Sequence, residues 1–214
     1  LMKPYFSTLK HLITLVLLTT LLSCENNPFD IDVKEVNINL DVKRFDQDLF
    51  QYKKGISPEN GTELSNKYGL FFQDFTESVI NIGSIKNPTI NKRLNDFSTD
   101  PYINEVKTDV ANIYSNFSEF EKELNEAFKH YRYYFPKKNI PEVITYISGF
   151  NYAITTDEAY LGIGLDMFLG KDYKAYTQLG LPKYKTAFMS REGLVAGAIL
   201  GWVATEFELK EKNA

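Results

Sequence analysis

The amino-acid sequence predicts an α+β fold, mainly helical with a small antiparallel sheet. Three observations carry that reading. Between residues 62 and 135, apolar side chains recur every three or four positions, which is the period of one helix face. Two apolar runs with strand character, 143–147 and 159–165, come next, with Thr155-Thr156-Asp157-Glu158 between them as a hairpin turn. Hydrophobic residues make up 43% of the chain and aromatic residues 14%, enough for a packed core rather than a disordered chain.

The elements follow in order. Residues 34–42 alternate, with Val36, Ile38, Leu40 and Val42 on one face and Glu35, Asn37, Asn39 and Asp41 on the other, the period of a half-buried strand. Residues 55–61, holding Pro58 and Asn60 between two glycines, read as a loop. From Thr62 a helix stripe runs through Leu64, Tyr68, Phe71, Phe72, Phe75 and Val79, until Asn87-Pro88 breaks the pattern. A short helix is expected over 90–97. Asp100-Pro101 then supplies an N-cap and first turn for a helix through Val106, Val110 and Ile113. Ser118 and Glu121 have capping-box spacing, and the helix they open carries Phe120, Leu124, Ala127, Phe128, Tyr131 and Phe135 on one face. Pro136 ends it. After the two strand runs come a short helix near 173–179 and a last helix over 190–207, almost wholly apolar from Leu194 to Ala204.

The N-terminus has a separate logic. Lys3 and Lys10 precede an apolar stretch from Leu12 to Leu22, and Leu21-Leu22-Ser23-Cys24 reads as a lipobox. About 11 apolar residues are too few for a core that needs roughly 20, so the segment reads as a cleavable lipoprotein signal over 1–23. Cys24 is the sole cysteine, and its thiol would take a diacylglycerol. Each buried methylene contributes about 0.8 kcal/mol, so two or three acyl chains anchor stably where one does not. The expectation is a membrane-anchored lipoprotein in a bacterial cell envelope: a polar tether over 24–33, then one globular α+β domain over 34–214. Leu1 ahead of Met2 suggests a non-standard start codon or an upstream read-through, and the charged stretch from Glu206 to Ala214 suggests a reading frame incomplete at its C-terminus.

Charge and motifs narrow the chemistry. The formal charge is −4, and losing Lys3 and Lys10 with the signal makes it −6. No block of lysine and arginine appears, so nucleic acid is not expected as a partner. No cofactor is expected. Zinc hydrolysis needs two or three ligands, usually His-Glu-x-x-His on one helical face, and past the signal only His130 remains. A serine triad would have to use the same histidine, and no Gly-x-Ser-x-Gly elbow exists; Ser148-Gly149 reads as a strand-end turn. Gly162-Ile163-Gly164 lacks the third glycine of a dinucleotide loop, which would fall at Met167. Asp157, Glu158, Asp166 and Asp172 read as solvated turn residues rather than a glycosidase pair. Neither catalytic nor metal-binding residues are therefore assigned. Gly193, Gly197 and Gly201 share one face of the last helix, where another backbone packs closely, with Trp202 on the opposite side. The cluster Tyr131-Arg132-Tyr133-Tyr134-Phe135 surrounds its helix, so one or two of its rings face solvent.

Several stretches, in this order, resemble the gliding-motility lipoprotein GldB family of Bacteroidetes. They are the lipobox ending at Cys24, then Val42-Lys43-Arg44-Phe45-Asp46-Gln47-Asp48-Leu49-Phe50, and Tyr68-Gly69-Leu70-Phe71-Phe72. Tyr133-Tyr134-Phe135-Pro136 with Ile140-Pro141-Glu142-Val143-Ile144-Thr145 follows, then Ile163-Gly164-Leu165-Asp166-Met167-Phe168-Leu169-Gly170-Lys171. The resemblance implies an outer-membrane lipoprotein needed for gliding, a motility coupled in that phylum to the type IX secretion apparatus. With no catalytic or metal-binding residues assigned above, the expected role is a non-enzymatic accessory one, through contacts with other gliding or secretion proteins. The resemblance also implies a fold distantly similar to zinc metallopeptidases (zincins), with a degenerate metal helix over 194–206. The alternatives are an envelope hydrolase of that degenerate type and a glycan- or ligand-binding lipoprotein.

Overall fold

A strand of three residues opens the described fold and runs without a break into a helical turn: β1 (Val42–Arg44) and α1 (Phe45–Asp48). The computed structural model describes residues 31–52 and 55–207. Backbone contacts divide the chain into Leu1–Glu35 and Val36–Ala214, and the second unit holds every element below. In the first, the Asp32 carboxylate accepts from the Lys34 backbone N–H at 3.0 Å.

Helix α2 (Pro58–Asp74) begins four residues before the expected start. Ser57 caps it reciprocally with Asn60, and Pro58 takes the first turn, so only the front of the expected loop is a loop. Gly69, at φ 51° and ψ −123°, kinks this helix, a conformation that suits a residue without a Cβ. One π-turn, Phe75–Val79, ends it. Helices α3 (Ile90–Thr99) and α4 (Pro101–Tyr114) follow. The Asp100 carboxylate accepts from the backbone N–H groups of Tyr102 and Ile103, the N-cap expected from the sequence. Helix α5 (Ser118–Tyr134) forms as expected, but its capping box does not: the Asn116 side chain accepts from both the N–H and the hydroxyl of Ser118.

The remaining elements are β2 (Glu142–Tyr146), β3 (Ile154–Thr156), β4 (Tyr160–Gly164), a 3-10 turn Leu165–Phe168, α6 (Lys174–Gln178), α7 (Lys183–Thr186) and α8 (Leu194–Glu206). They complete the α+β fold that the sequence predicts. The sheet departs from expectation in its pairing. Its order is β1-β2-β4-β3; β1 and β4 both run parallel to β2, and only β3 is antiparallel to its neighbour β4. The turn at Asp157-Glu158 is real, closed by Asp157 N–H to the Tyr160 carbonyl, but it joins β3 to β4. Having β3 inserted reverses the chain once more, so the two apolar runs become parallel neighbours. The alternating stretch 34–41 makes no regular strand; pairing starts at Val42, although Ile38 and Leu40 pack on the core. Alternation there records a half-buried extended segment rather than a ladder partner.

Both sheet faces are covered, which is why the strands read as continuous apolar runs. Val143, Ile147, Leu161 and Ile163 pack against α4, α5 and α8. On the other face, Ile144, Tyr146 and Tyr160 meet an aromatic group around Phe45, whose ring lies edge-on to Tyr68 and Phe75 at 4.8 Å each. Gly164 leaves room on this side. A Cβ there would come within 2.2 Å of the Tyr152 carbonyl oxygen, a backbone atom that cannot rotate away. Gly164→Ala should therefore lower stability by about 2 kcal/mol, read as a lower denaturant midpoint.

Candidate functional site

Leu21, Leu22, Ser23 and Cys24, the lipobox and its lipid attachment residue, lie outside the described residues. Within the described part, polar chemistry gathers at the carboxyl ends of the parallel strands β2 and β4, the edge where open sheets containing parallel strands commonly carry their sites. Ser148 follows β2 and Asp166 follows β4, and both are wholly buried. The Asp166 carboxylate accepts from the Ser148 N–H at 3.0 Å, the Phe150 N–H at 2.6 Å and the Ser148 hydroxyl. Ser148 Oγ in turn accepts from the N–H groups of Asn151 and Tyr152. Burial pushes the Asp166 carboxyl up, while the donors of Ser148 and Phe150 pull it down; burial prevails.

The loop so held is strained. Gly149 and Phe150 both have positive φ, 70° and 65°, and for a bulky residue such as Phe150 that costs about 1–3 kcal/mol. Asn151 ties the same loop to the Val79 carbonyl at the end of the π-turn. On the other side, Tyr176 donates to the Asp166 carbonyl at 2.8 Å and Tyr114 to the Phe168 carbonyl at 2.6 Å. The carboxylate thus joins the two strand ends to each other, and backbone carbonyls of the Leu165–Phe168 turn tie them to α4 and α6.

A second polar knot lies on β1. Arg44 grips Asp46 with two parallel bonds of 2.8 and 2.7 Å, donates to the Tyr114 carbonyl and lies over the Phe117 ring. Thr145 of β2 donates to Asp46 at 2.5 Å. Asp46 is buried, so the pair is a desolvated, bidentate clamp between β1, β2 and α4. Nearby, Tyr68 donates to Asp48 at 2.6 Å; burial first, then that carboxylate, pushes the phenol up.

Beyond the Asp166 turn an open groove of about 510 Å³ is lined by Lys171, Asp172, Tyr173, Ser190 and Glu192. Ser190 Oγ donates to Glu192 at 2.7 Å and holds its carboxyl below the usual range. Tyr173 donates to the Asp109 carboxylate at 2.6 Å.

The four acids singled out in the sequence are not brought together. Asp157 and Glu158 stay in the β3–β4 turn and Asp172 lines the groove. Asp166 is the exception to the solvated-turn reading: it is interior. Its place inside the apolar run Leu165-Asp166-Met167-Phe168-Leu169 was the available signal, because a buried carboxylate must find donors. Ser148, read as a plain turn residue, is one of those donors. His130 is half-buried on α5. Among the described residues no group of three His, Cys, Asp or Glu side chains could hold a metal ion. None of the described helices is long and apolar enough to cross a membrane.

Helix α8 packs closely at Gly197 and Gly201, but against side chains rather than the backbone that their spacing suggested; only Gly193, just ahead of the helix, faces backbone, at the Phe188 carbonyl. A Cβ on Gly201 would meet Ile154 Cγ2 at 2.6 Å, and Gly197 lies against the Phe168 ring. Trp202 is buried against Phe128 and Tyr131. One side of the helix remains open, with Ala196, Leu200 and Ala204 at four-residue spacing and Leu200 66% exposed.

Neither a curated protein nor a solved structure matches the chain. A likeness of the fold to zinc metallopeptidases therefore has no solved structure behind it. The family model described as gliding motility protein GldB matches residues 26–214. That match takes in every strand and helix described above, together with the Arg44–Asp46 clamp and the Asp166 knot, and the chain belongs to the gliding motility protein GldB family.

Proposed function

We propose that this gliding-motility lipoprotein is a non-enzymatic component of the gliding machinery, anchored in the cell envelope through acylated Cys24 and acting by protein contacts. The observation that carries the reading is the family match over residues 26–214. Two features support work by contact rather than catalysis. The most organised polar groups, Asp166 with Ser148 and Asp46 with Arg44, are interior or nearly so and join secondary-structure elements to one another. Large apolar side chains meanwhile stand at the surface: Tyr184 is 71% exposed, Phe188 75% and Leu200 66%. Side chains exposed in this way are available for contact with a partner. The lipobox supports an envelope location, with the outer membrane as the proposed destination in a member of the Bacteroidetes.

Deleting the gene in its source organism should abolish cell gliding, and a wild-type copy should restore it. A deletion strain that glides normally would overturn the reading. Intact-mass analysis of the mature protein should find cleavage ahead of Cys24 and at least two acyl chains on that residue.

A further inference from the structure

The two most exposed large apolar side chains among the described residues stand on one turn: Phe188 at 75% and Tyr184 at 71%. They lie four residues apart on α7 and the turn that follows it, a spacing that sets both rings on one side. Lys183 and Lys185 flank Tyr184, and neither makes an ion pair among the described residues. From Tyr173 to Arg191 the sequence holds no acid, and Lys174 and Arg191 within that stretch are paired with Glu105 and Glu119. The acids that bound it are close by. Asp172 lines a groove with Lys171 and Lys183, and the Ser190 hydroxyl holds Glu192. Lys171, Lys183 and Lys185 together outnumber those two carboxylates, in a chain whose net charge is −4.

The turn is held from beneath. Thr186 and Met189 are buried, so the segment is pinned to the core on the side away from the rings. The N–H groups of Lys185 and Thr186 donate to the Pro182 carbonyl, and the Ala187 N–H to the Lys183 carbonyl at 3.0 Å. The Met189 carbonyl accepts from the Gly170 N–H at 3.0 Å. Backbone also rests on backbone here: a Cβ at Gly193 would come within 2.1 Å of the Phe188 carbonyl oxygen. Tyr184 and Phe188 therefore project from a fixed base.

Two projecting rings are prongs rather than a pocket, and a fluid bilayer accepts prongs without offering a complementary cavity. Aromatic side chains seat in the headgroup region, and lysines beside them are drawn to anionic lipid. Lipid on Cys24 would also keep a bilayer near. The ten-residue tether 24–33 reaches no more than about 35 Å, so even a weak surface contact forms at high effective concentration. We propose that the α7 turn, through Tyr184, Phe188, Lys183 and Lys185, docks the domain on an anionic phospholipid bilayer. Leu200 on α8 is left for contacts with other gliding proteins. Docking of this kind rests on the envelope reading for the bilayer itself, not on acylation of Cys24.

The test uses the mature chain from Cys24 onward, made without acylation, with vesicles of phosphatidylethanolamine and about a quarter phosphatidylglycerol. Co-sedimentation is expected with these vesicles and not with pure phosphatidylcholine, and it should weaken as salt rises. Lys183→Glu with Lys185→Glu should reduce partitioning at least about tenfold, since each cation near such a surface contributes roughly a fivefold factor. Tyr184→Ala with Phe188→Ala should reduce it about tenfold as well, including at high salt where the charge attraction is screened. Tyr133→Ala with Tyr134→Ala, which removes exposed rings at the end of α5, should bind as wild type. All six are surface positions, so the thermal midpoint of each variant should match wild type, separating lost binding from lost fold. No binding to the anionic vesicles, equal binding to both kinds, or α7 variants that bind as wild type would overturn the proposal. So would a loss confined to the α5 variant, which would move the contact there. Each of these outcomes is independent of whether deletion of the gene stops gliding, so the docking can fail while the gliding reading stands.

Discussion

Asp166→Ala is expected to be the most damaging single substitution in the described fold, lowering stability by about 4 kcal/mol. The carboxylate is the common acceptor for the N–H groups of Ser148 and Phe150 and for the Ser148 hydroxyl. Truncation leaves those donors buried without a partner, at about 1–3 kcal/mol each before relaxation. It also releases the left-handed backbone at Gly149 and Phe150, whose strain the carboxylate holds in place. Asp166→Asn keeps the volume but sets an amide N–H₂ against a backbone donor, so its cost should be about 2–3 kcal/mol. Burial raises the folded-state carboxyl above the roughly 3.9 of an unfolded chain. The folded protein therefore keeps this proton at pH values where the unfolded chain has lost it. Stability from this group is full below the unfolded value and falls as pH rises through the folded one. The gap between wild type and Asp166→Asn should accordingly narrow as pH rises. Urea midpoints measured from acid to neutral pH check both points, and a gap that widened would contradict them.

Asp46→Ala should cost about 3 kcal/mol, because it strands the Arg44 guanidinium between the Phe117 ring and the Tyr114 carbonyl, with little water to replace the lost carboxylate. Thr145 loses its acceptor in the same step. Arg44→Lys keeps the charge but cannot make two parallel bonds or lie flat on a ring, so a loss of about 1–2 kcal/mol is expected. A double-mutant cycle on Arg44 and Asp46, read by equilibrium unfolding, should give a coupling of at least about 1 kcal/mol. Additive single effects would mean that the clamp contributes nothing as a pair.

The helices were legible because each writes its own stripe. Leu64, Tyr68, Phe71 and Phe75 lie buried as their spacing requires, and Asp100 caps as its place before Pro101 suggests. Pairing within the sheet was not legible. The strand run 143–147 is equally apolar whether its neighbour is parallel or antiparallel, and β3, three half-buried residues, carries too little pattern to announce itself. The polar knots were hidden for a related reason. Asp46 and Asp166 look like surface acids one residue at a time, and their partners Thr145 and Ser148 are 99 and 18 residues away. Only the third dimension shows that the donors converge. Exposed rings at the end of α5 were foreseeable, since a helix cannot bury residues on every side, but three rather than one or two face solvent: Tyr133, Tyr134 and Phe135.

The measurement that bears most directly on an envelope-anchored gliding component is the gliding speed of deletion cells carrying either wild-type Cys24 or Cys24→Ala as the only copy, with protein levels matched. Wild type should restore movement and the alanine form should not, because a chain without its acylated thiol is not held where the machinery works. Full gliding with Cys24→Ala would contradict the anchoring claim at its root.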